Sequence, residues 1–397
     1  MATTHAMIHF LNNIHSALNK DIPEYTLGIF LDLKKAFDTV DHNILLRKLD
    51  HYGFRGISNL WFQNYLTDRY QYVCIDGTDS SKRLIQYGVP QGSVLGPLLF
   101  LLYINDLPKA SSFSTLLFAD DTSLQLSSNN IRDLFTIANG QLHEVSQWFR
   151  SNKLTLNIAK TKYAIFRSKN MTLPIEDLTL KVGDENIEQI GTNSPQKNIK
   201  YLGYTLDENL SWADHLKHIH TKMSTGNYLL AKSKKFLPAS VRLTLYNSII
   251  KPHLDYGILT WGRVGISKLK PLITIQKKAI RNVALKPVNA HTSPLFSHFE
   301  TLSFLDLFIL SCGVFMYKYS NNLLPRSFEG MFTPCNPPNR TNSYKIIKSR
   351  ISYIDQFPTA YLPKFWNDLP SSLKNADTLN RFRTKLKANL LSAYDHE

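Results

Sequence analysis

Apolar residues fall at helical spacing over residues 6–20, where Met7, Ile8, Leu11, Ile14 and Leu18 share one face, and then the period changes. Gly28-Ile29-Phe30-Leu31 is an unbroken apolar run closing on Asp32, the pattern of a buried strand with a carboxylate at its end. Asp41 can cap a helix reaching residue 49, and a second helix is predicted over 58–66. Alternation through residues 70–75, followed by Asp76-Gly77, predicts a strand entering a hairpin. A loop punctuated by Gly and Pro, residues 88–97, runs into a helix-like apolar stretch at 98–104. Apolar arms at 115–117 and 122–126 then flank Phe118-Ala119-Asp120-Asp121 as a hairpin with acid at its turn. A helix over 130–150, a strand at 163–166 and a hairpin through Gly183-Asp184 complete a mixed pattern, and from 213 to about 320 the period is helical throughout. Pro and Asn crowd residues 325–345, a linker before a last basic helix at 376–391. The fold class that follows is α+β, with a helical second half.

Adjacent like charges are unfavourable unless a cation compensates them, so the Asp120-Asp121 pair points to a divalent-metal site. On its own the pair reads equally as a solvated turn. Asp32 would add a third carboxylate buried at a strand end, and the loop bearing Gln91 and Gly92 would let backbone approach a ligand without a Cβ in the way.

In chain order, Asp32 with Phe37 five positions on, Pro90-Gln91-Gly92, and Phe118-Ala119-Asp120-Asp121 resemble the palm motifs of reverse transcriptases from non-LTR (LINE-like, jockey/CR1-type) retrotransposons. Leu156-Asn157-Ile158-Ala159-Lys160-Thr161-Lys162 is similar to that family's fourth motif, and Lys200-Tyr201-Leu202-Gly203-Tyr204 to its fifth. The resemblance covers residues 1–265 well. It implies a right-hand polymerase palm, a ferredoxin-like mixed sheet with helices, plus a mostly helical basic thumb. The expected divisions are 1–212 for palm and partial fingers, 213–325 for the thumb and its continuation, and 326–397 for the linker and basic C-terminal helical region.

The activity it implies is RNA-directed DNA polymerisation by two-metal nucleotidyl transfer to a primer 3′-hydroxyl. Asp32, Asp120 and the Leu33 carbonyl would hold two Mg²⁺ (or Mn²⁺) ions, with Asp121 as a nearby carboxylate. Phe37 would exclude a ribose 2′-hydroxyl, although an aromatic beside a strand is also common core filling. Gln91 and Gly92 would lie against nucleotide and template, or simply form a turn. Lys160 would protonate pyrophosphate, with Lys162 competing for the role. Tyr201, Leu202 and Gly203 would grip the primer end. RNA template, DNA primer or target and deoxynucleoside triphosphates are the partners implied; the sequence does not set an oligomeric state.

Charge supports a polyanionic partner. The 397 residues carry 46 Lys plus Arg against 31 Asp plus Glu, and the excess is lopsided: residues 1–212 have 20 basic and 21 acidic side chains, residues 213–397 have 26 and 10. A basic second half suits phosphate contacts by counterion release, and would equally serve as a solubilising surface. Three scattered cysteines, Cys74, Cys312 and Cys335, give neither a disulfide framework nor a zinc site, so an intracellular, nuclear or cytoplasmic, setting is expected. No signal peptide or membrane-spanning run is apparent in the sequence. Residues 1–31 offer only Lys20 as a cation, whereas the family carries basic fingers strands and an endonuclease ahead of its first Asp motif. The chain is therefore expected to be an N-terminally truncated element. The alternative function is a catalytically disabled nucleic-acid-binding remnant lacking fingers and endonuclease.

Overall fold

The apolar run closing on Asp32 forms a strand buried from Thr26 to Leu31, as expected when both faces of a central strand are covered. The computed structural model describes residues 2–173, 178–191, 194–335, 343–347 and 355–395. These residues form two compact units, one of residues 24–201 and the other of 1–23 with 202–397.

Helix α1 (Thr3–Leu18) precedes the first of these units. That unit then contains β1 (Tyr25–Leu31), α2 (His42–His51), α3 (Ile57–Leu66) and four two-residue strands, β2 (Tyr70–Gln71), β3 (Cys74–Ile75), β4 (Thr78–Asp79) and β5 (Arg83–Leu84). Next come α4 (Leu95–Ile104), β6 (Ser114–Phe118), β7 (Asp121–Ser128), α5 (Ile131–Ser151) and β8 (Lys162–Phe166). A small hairpin of β9 (Lys181–Val182) and β10 (Glu185–Asn186), then β11 (Glu188–Ile190) and β12 (Asn198–Tyr201), complete it. The main sheet has the order β11-β8-β1-β7-β6. Strand β11 runs parallel to β8, and the other pairs are antiparallel. Without β11 the strands stand fourth, first, third, second in chain order, with α4 before the second and α5 between third and fourth. This is the ferredoxin-like βαββαβ arrangement expected from the sequence. Leu134, Ala138, Leu142, Val145 and Phe149 line one face of α5 and pack into the same core as Leu27, Ile29, Leu31 and Leu124 from the sheet and Phe100 and Tyr103 from α4.

The second unit contains β13 (Tyr204–Asp207), α6 (Ala213–Ser233), α7 (Ala239–Ile249), α8 (Lys251–Asp255), α9 (Ile258–Trp261), α10 (Ile266–Ala284), α11 (Ser293–His298), α12 (Phe304–Ser320), α13 (Pro358–Asp368), α14 (Ser371–Lys374) and α15 (Leu379–Ser392). Helix α1 packs here against α9 and α13, and His15 shares a 2.9 Å hydrogen bond with Thr359. Among the described residues, no helix is long and apolar enough to cross a membrane.

Three local readings change. The strand expected over 70–75 is broken in two: β2 pairs with β5, while β3 pairs with β4 around the Asp76-Gly77 turn. Residues 67–84 are exposed throughout, so no buried face holds a long strand in register. Helix α4 begins at Leu95, not 98, because Ser93 Oγ accepts from the Gly96 N–H and caps the turn before it. Asp32, expected to be buried, is only half-buried. The core of the Pro/Asn-rich linker, 336–342, lies outside the described residues.

Candidate active site

Register brings the carboxylates to one edge of the sheet. Leu31, the last residue of β1, lies opposite Thr122 of β7, so continuing the ladder by one residue sets Asp32 opposite Asp121. Strands β6 and β7 close on the pair Phe118–Asp121, which leaves Ala119 and Asp120 as a two-residue turn. Ala119 takes a φ of 54°, a left-handed conformation that L-residues other than Gly, Asn and Asp rarely adopt. Such strain is characteristic of functional turns. Asp120 and Asp121 are exposed. Desolvation at the sheet edge, and then the charges of Asp120 and Asp32, push the Asp121 carboxyl above its ordinary pKa. Three carboxylates that feel one another with no cation between them are what a hard divalent ion would stabilise, and an all-oxygen donor set suits Mg²⁺ or Mn²⁺. Among the described residues, no three His, Cys, Asp or Glu side chains are gathered closely enough to form a metal cluster. The donor chemistry fits, while the side chains stand apart.

The segment at 155–161 clasps Asp32 from the side. The Asp32 N–H donates to Thr161 Oγ1 at 3.2 Å, and the Asn157 N–H donates to the Asp32 carbonyl at 2.8 Å. Leu33 forms a lone antiparallel bridge with Leu156, flanked by a 2.9 Å bond from the Lys34 N–H to the Thr155 carbonyl. In a bridge flanked this way, the Leu33 N–H and C=O take no part in the two ladder bonds and point to the other side. Its carbonyl is thus turned away from the strand that clasps Asp32. Thr161 is buried. Asn157 and Thr161 are positioning residues that the sequence reading quoted within a motif without giving them a role; a buried Thr beside a strand end was the available signal.

The Gln-Gly loop docks on the segment after Asp32. The Val89 N–H donates to the Phe37 carbonyl and the Gly88 N–H to the Val40 carbonyl, each at 2.8 Å, and His42 Nε2 bonds the Gly88 carbonyl at 2.7 Å. Phe37 is half-buried, its ring 4.7 Å from that of Phe100. Gln91 is exposed, and its amide donates to the Asp38 carboxylate at 2.8 Å. Gly92 has a φ of +81° with open space where a Cβ would sit, so its backbone conformation, not crowding within the chain, requires glycine.

Lys160 is exposed at the turn 157–161, whereas Lys162 pairs with Glu188 on β11. The structure thus commits the second lysine and leaves the first at the surface. Tyr201 is buried, its hydroxyl 2.9 Å from Ser123 Oγ and its ring 4.9 Å from Phe30. Burial raises its pKa. Its side chain can therefore position β7 two residues beyond Asp121, but it presents no surface for contact. Leu202 and Gly203 both have positive φ, 46° and 77°. A Cβ on Gly203 would stand 2.9 Å from the Tyr256 hydroxyl, which donates to the Leu202 carbonyl at 2.7 Å. Tyr256 is a second positioning residue without an assigned role in the sequence reading.

The unit of 1–23 and 202–397 carries 27 basic and 13 acidic side chains, against 19 and 18 in residues 24–201. Between α6 and α10, cavities of about 480 and 490 Å³ are lined by Lys217, His220, Lys268, Lys270 and Lys278.

A ferredoxin-like sheet with three carboxylates at one edge and a Gln-Gly loop beside them defines a nucleotidyl-transferase palm. The family model for reverse transcriptase (RNA-dependent DNA polymerase) matches residues 3–206, and the chain belongs to that family. It is 29% identical over 276 residues to the RNA-directed DNA polymerase from mobile element jockey of Drosophila melanogaster, covering 66% of this chain and 29% of that protein. The probable RNA-directed DNA polymerase from transposon X-element of the same species is 32% identical over 272 residues, covering 66% and 28%. The Pol polyprotein of type-1 retrotransposable element R2 from Popillia japonica is 25% identical over 284 residues, covering 68% and 44%. The chain thus spans less than a third of the length of the first two relatives. The resemblance to non-LTR retrotransposon reverse transcriptases is borne out. A telomerase from Candida albicans, solved with a TWJ fragment of telomeric RNA, matches at a TM-score of 0.37 and 12% identity over 81% of this chain and 53% of that one.

Proposed function

We propose that this chain is the RNA-directed DNA polymerase module of a non-LTR retrotransposon, adding deoxynucleotides to a primer 3′-hydroxyl on an RNA template. The observation that carries the reading is the convergence of Asp32, Asp120 and Asp121 on one sheet edge, where each carboxylate's charge reaches Asp121. Asp32, Asp120 and the Leu33 carbonyl would hold two divalent ions, which when bound supply Lewis acidity toward the attacking hydroxyl and the departing pyrophosphate. The residues of the chain do the rest. Asn157 and Thr161 fix the backbone at Asp32. Phe37, steadied by Phe100, stands five residues on as the gate against a 2′-hydroxyl. Gln91 and Gly92 meet nucleotide and template, and Lys160 gives a proton to pyrophosphate as charge develops on it. Tyr201, Leu202 and Gly203 hold the primer end, through the backbone of the positive-φ turn, with the buried Tyr201 ring as its anchor. The basic helical unit acts as thumb, gripping duplex phosphates through the lysines along α6 and α10.

Two assays test this. Primer extension on an RNA template should disappear in Asp120→Asn, whose fold the isosteric change preserves. Duplex affinity should fall steeply with ionic strength, each phosphate contact contributing about 0.9 to the slope of log K against log salt. A flat salt response would remove the gripping role. Steep binding without extension would favour the nucleic-acid-binding remnant.

A further inference from the structure

Among the described residues, 13 of the 27 exposed large hydrophobic side chains fall between residues 54 and 101, in the unit of 24–201. Much of this exposed surface is aromatic and carries cations. Trp61 stacks on Tyr65 with centroids 5.6 Å apart and planes 7° from parallel. The Arg69 guanidinium lies 5.5 Å from the Tyr65 ring, and the Lys82 ammonium 6.0 Å from that of Tyr72. Tyr70 and Tyr87 are 61% and 53% exposed although neither is at a chain end. Both line a groove of about 810 Å³ that also takes in Lys35, Arg69, Asp38 and Gln91. Asp38 is the acid in that lining, and the Gln91 amide covers its carboxylate.

We propose that this groove seats the unpaired part of a polynucleotide strand, with bases stacked on Tyr70 and Tyr87 and phosphates against Lys35 and Arg69. Rings exposed in pairs beside fixed cations are what sequence-independent single-strand binding needs, because every base has a stacking face and every nucleotide a phosphate. A protein partner would be better served by aliphatic lining, and the groove offers Tyr, Gln, Lys and Arg for the most part. The inference rests on the polymerase reading only for direction: the groove ends at Gln91, so a strand lying in it leads to the residues assigned to nucleotide and template. Tyr70 and Tyr87 thus act as positioning residues for the template ahead of the reaction.

The test is fluorescence anisotropy with a labelled, unstructured single-stranded RNA and, separately, a blunt RNA–DNA duplex. Tyr70→Ala with Tyr87→Ala should weaken single-strand binding about 10- to 100-fold and leave duplex affinity unchanged. Tyr70→Phe with Tyr87→Phe should retain the affinity, since stacking needs the ring and not the hydroxyl. Matching thermal melts for the variants establish that each is folded. Unchanged single-strand affinity in the alanine variant, equal loss on both ligands, or loss in the phenylalanine variant would each overturn the proposal. So would an alanine variant that abolishes self-association in sedimentation while leaving RNA binding intact, which would make the face a protein-docking surface. Asp120→Asn in the same assay separates the two readings: single-strand binding that depends on the tyrosines, in a chain that never extends a primer, would sink the polymerase assignment and leave the groove standing.

Discussion

At the scale of single residues, the site depends on how the backbone at Asp32 is held. Its N–H has a buried hydroxyl, Thr161 Oγ1, as acceptor, so Thr161→Val should cost about 1–3 kcal/mol by leaving that donor unpaired. Denaturant titration would show it as a lower midpoint with an unchanged slope. Extension should slow as well, because Asp32 loses one of its two backbone anchors. At the hairpin turn, Ala119→Gly should stabilise the chain by about 1 kcal/mol by relieving the positive φ. An unchanged midpoint in that variant would mean the turn is not strained. Asp32, Gln91, Gly92 and the Asp pair were legible in the sequence because they carry unusual chemistry in unusual places. Thr161, Asn157 and Tyr256 were not, since a Thr, an Asn or a Tyr positions a neighbour through contacts that only the folded chain reveals.

At the scale of elements, the strongest patterns were the most faithfully read. The apolar run before Asp32 became β1, the Asp41 side chain accepts from the Ile44 N–H at the start of α2, and the 130–150 periodicity became α5. Residues 70–75 misled because alternation implies a strand only when one face is buried, and here neither is. Helix α1 is legible as amphipathic, but sequence order suggested the wrong partner: its apolar face meets α9 and α13, formed more than 200 residues later. The turn after Tyr201 gives an element-level prediction. Gly203→Ala adds a Cβ 2.9 Å from the Tyr256 hydroxyl in a left-handed conformation, and should cost about 1–3 kcal/mol through strain and contact together. Tyr256→Phe, which removes only the bond to the Leu202 carbonyl, should cost about 1 kcal/mol. Thermal melts of both variants would rank them, and the reverse order would show that the turn is held by that hydrogen bond and not by its shape.

At the scale of the whole molecule, acid should act through the unit of 1–23 and 202–397. Burial holds the His15 imidazole to about 4, and burial with the nearby His218 charge holds His215 to about 4. The Nε2 of each is buried without a hydrogen-bond partner. Both are neutral when folded, while the unfolded chain takes up a proton near its ordinary pKa of about 6.5. Their stabilising contribution is therefore complete above that pH and is lost as pH falls from 6.5 toward 4, by up to about 3 kcal/mol for each. Circular dichroism melts across that window should show the loss, and His15→Gln should flatten it. The net charge follows the same division of labour, near neutrality where the metal carboxylates sit and strongly basic where a duplex would be gripped. The central claim is that the carboxylate edge formed by β1, β6 and β7 is a working polymerase centre. Primer extension on an RNA template with Mg²⁺ or Mn²⁺ tests it, comparing the chain with Asp120→Asn and with chelator added. Extension that requires the metal and vanishes in the variant is the result expected; no extension by the folded, unmutated chain, or extension that survives the substitution, would contradict it.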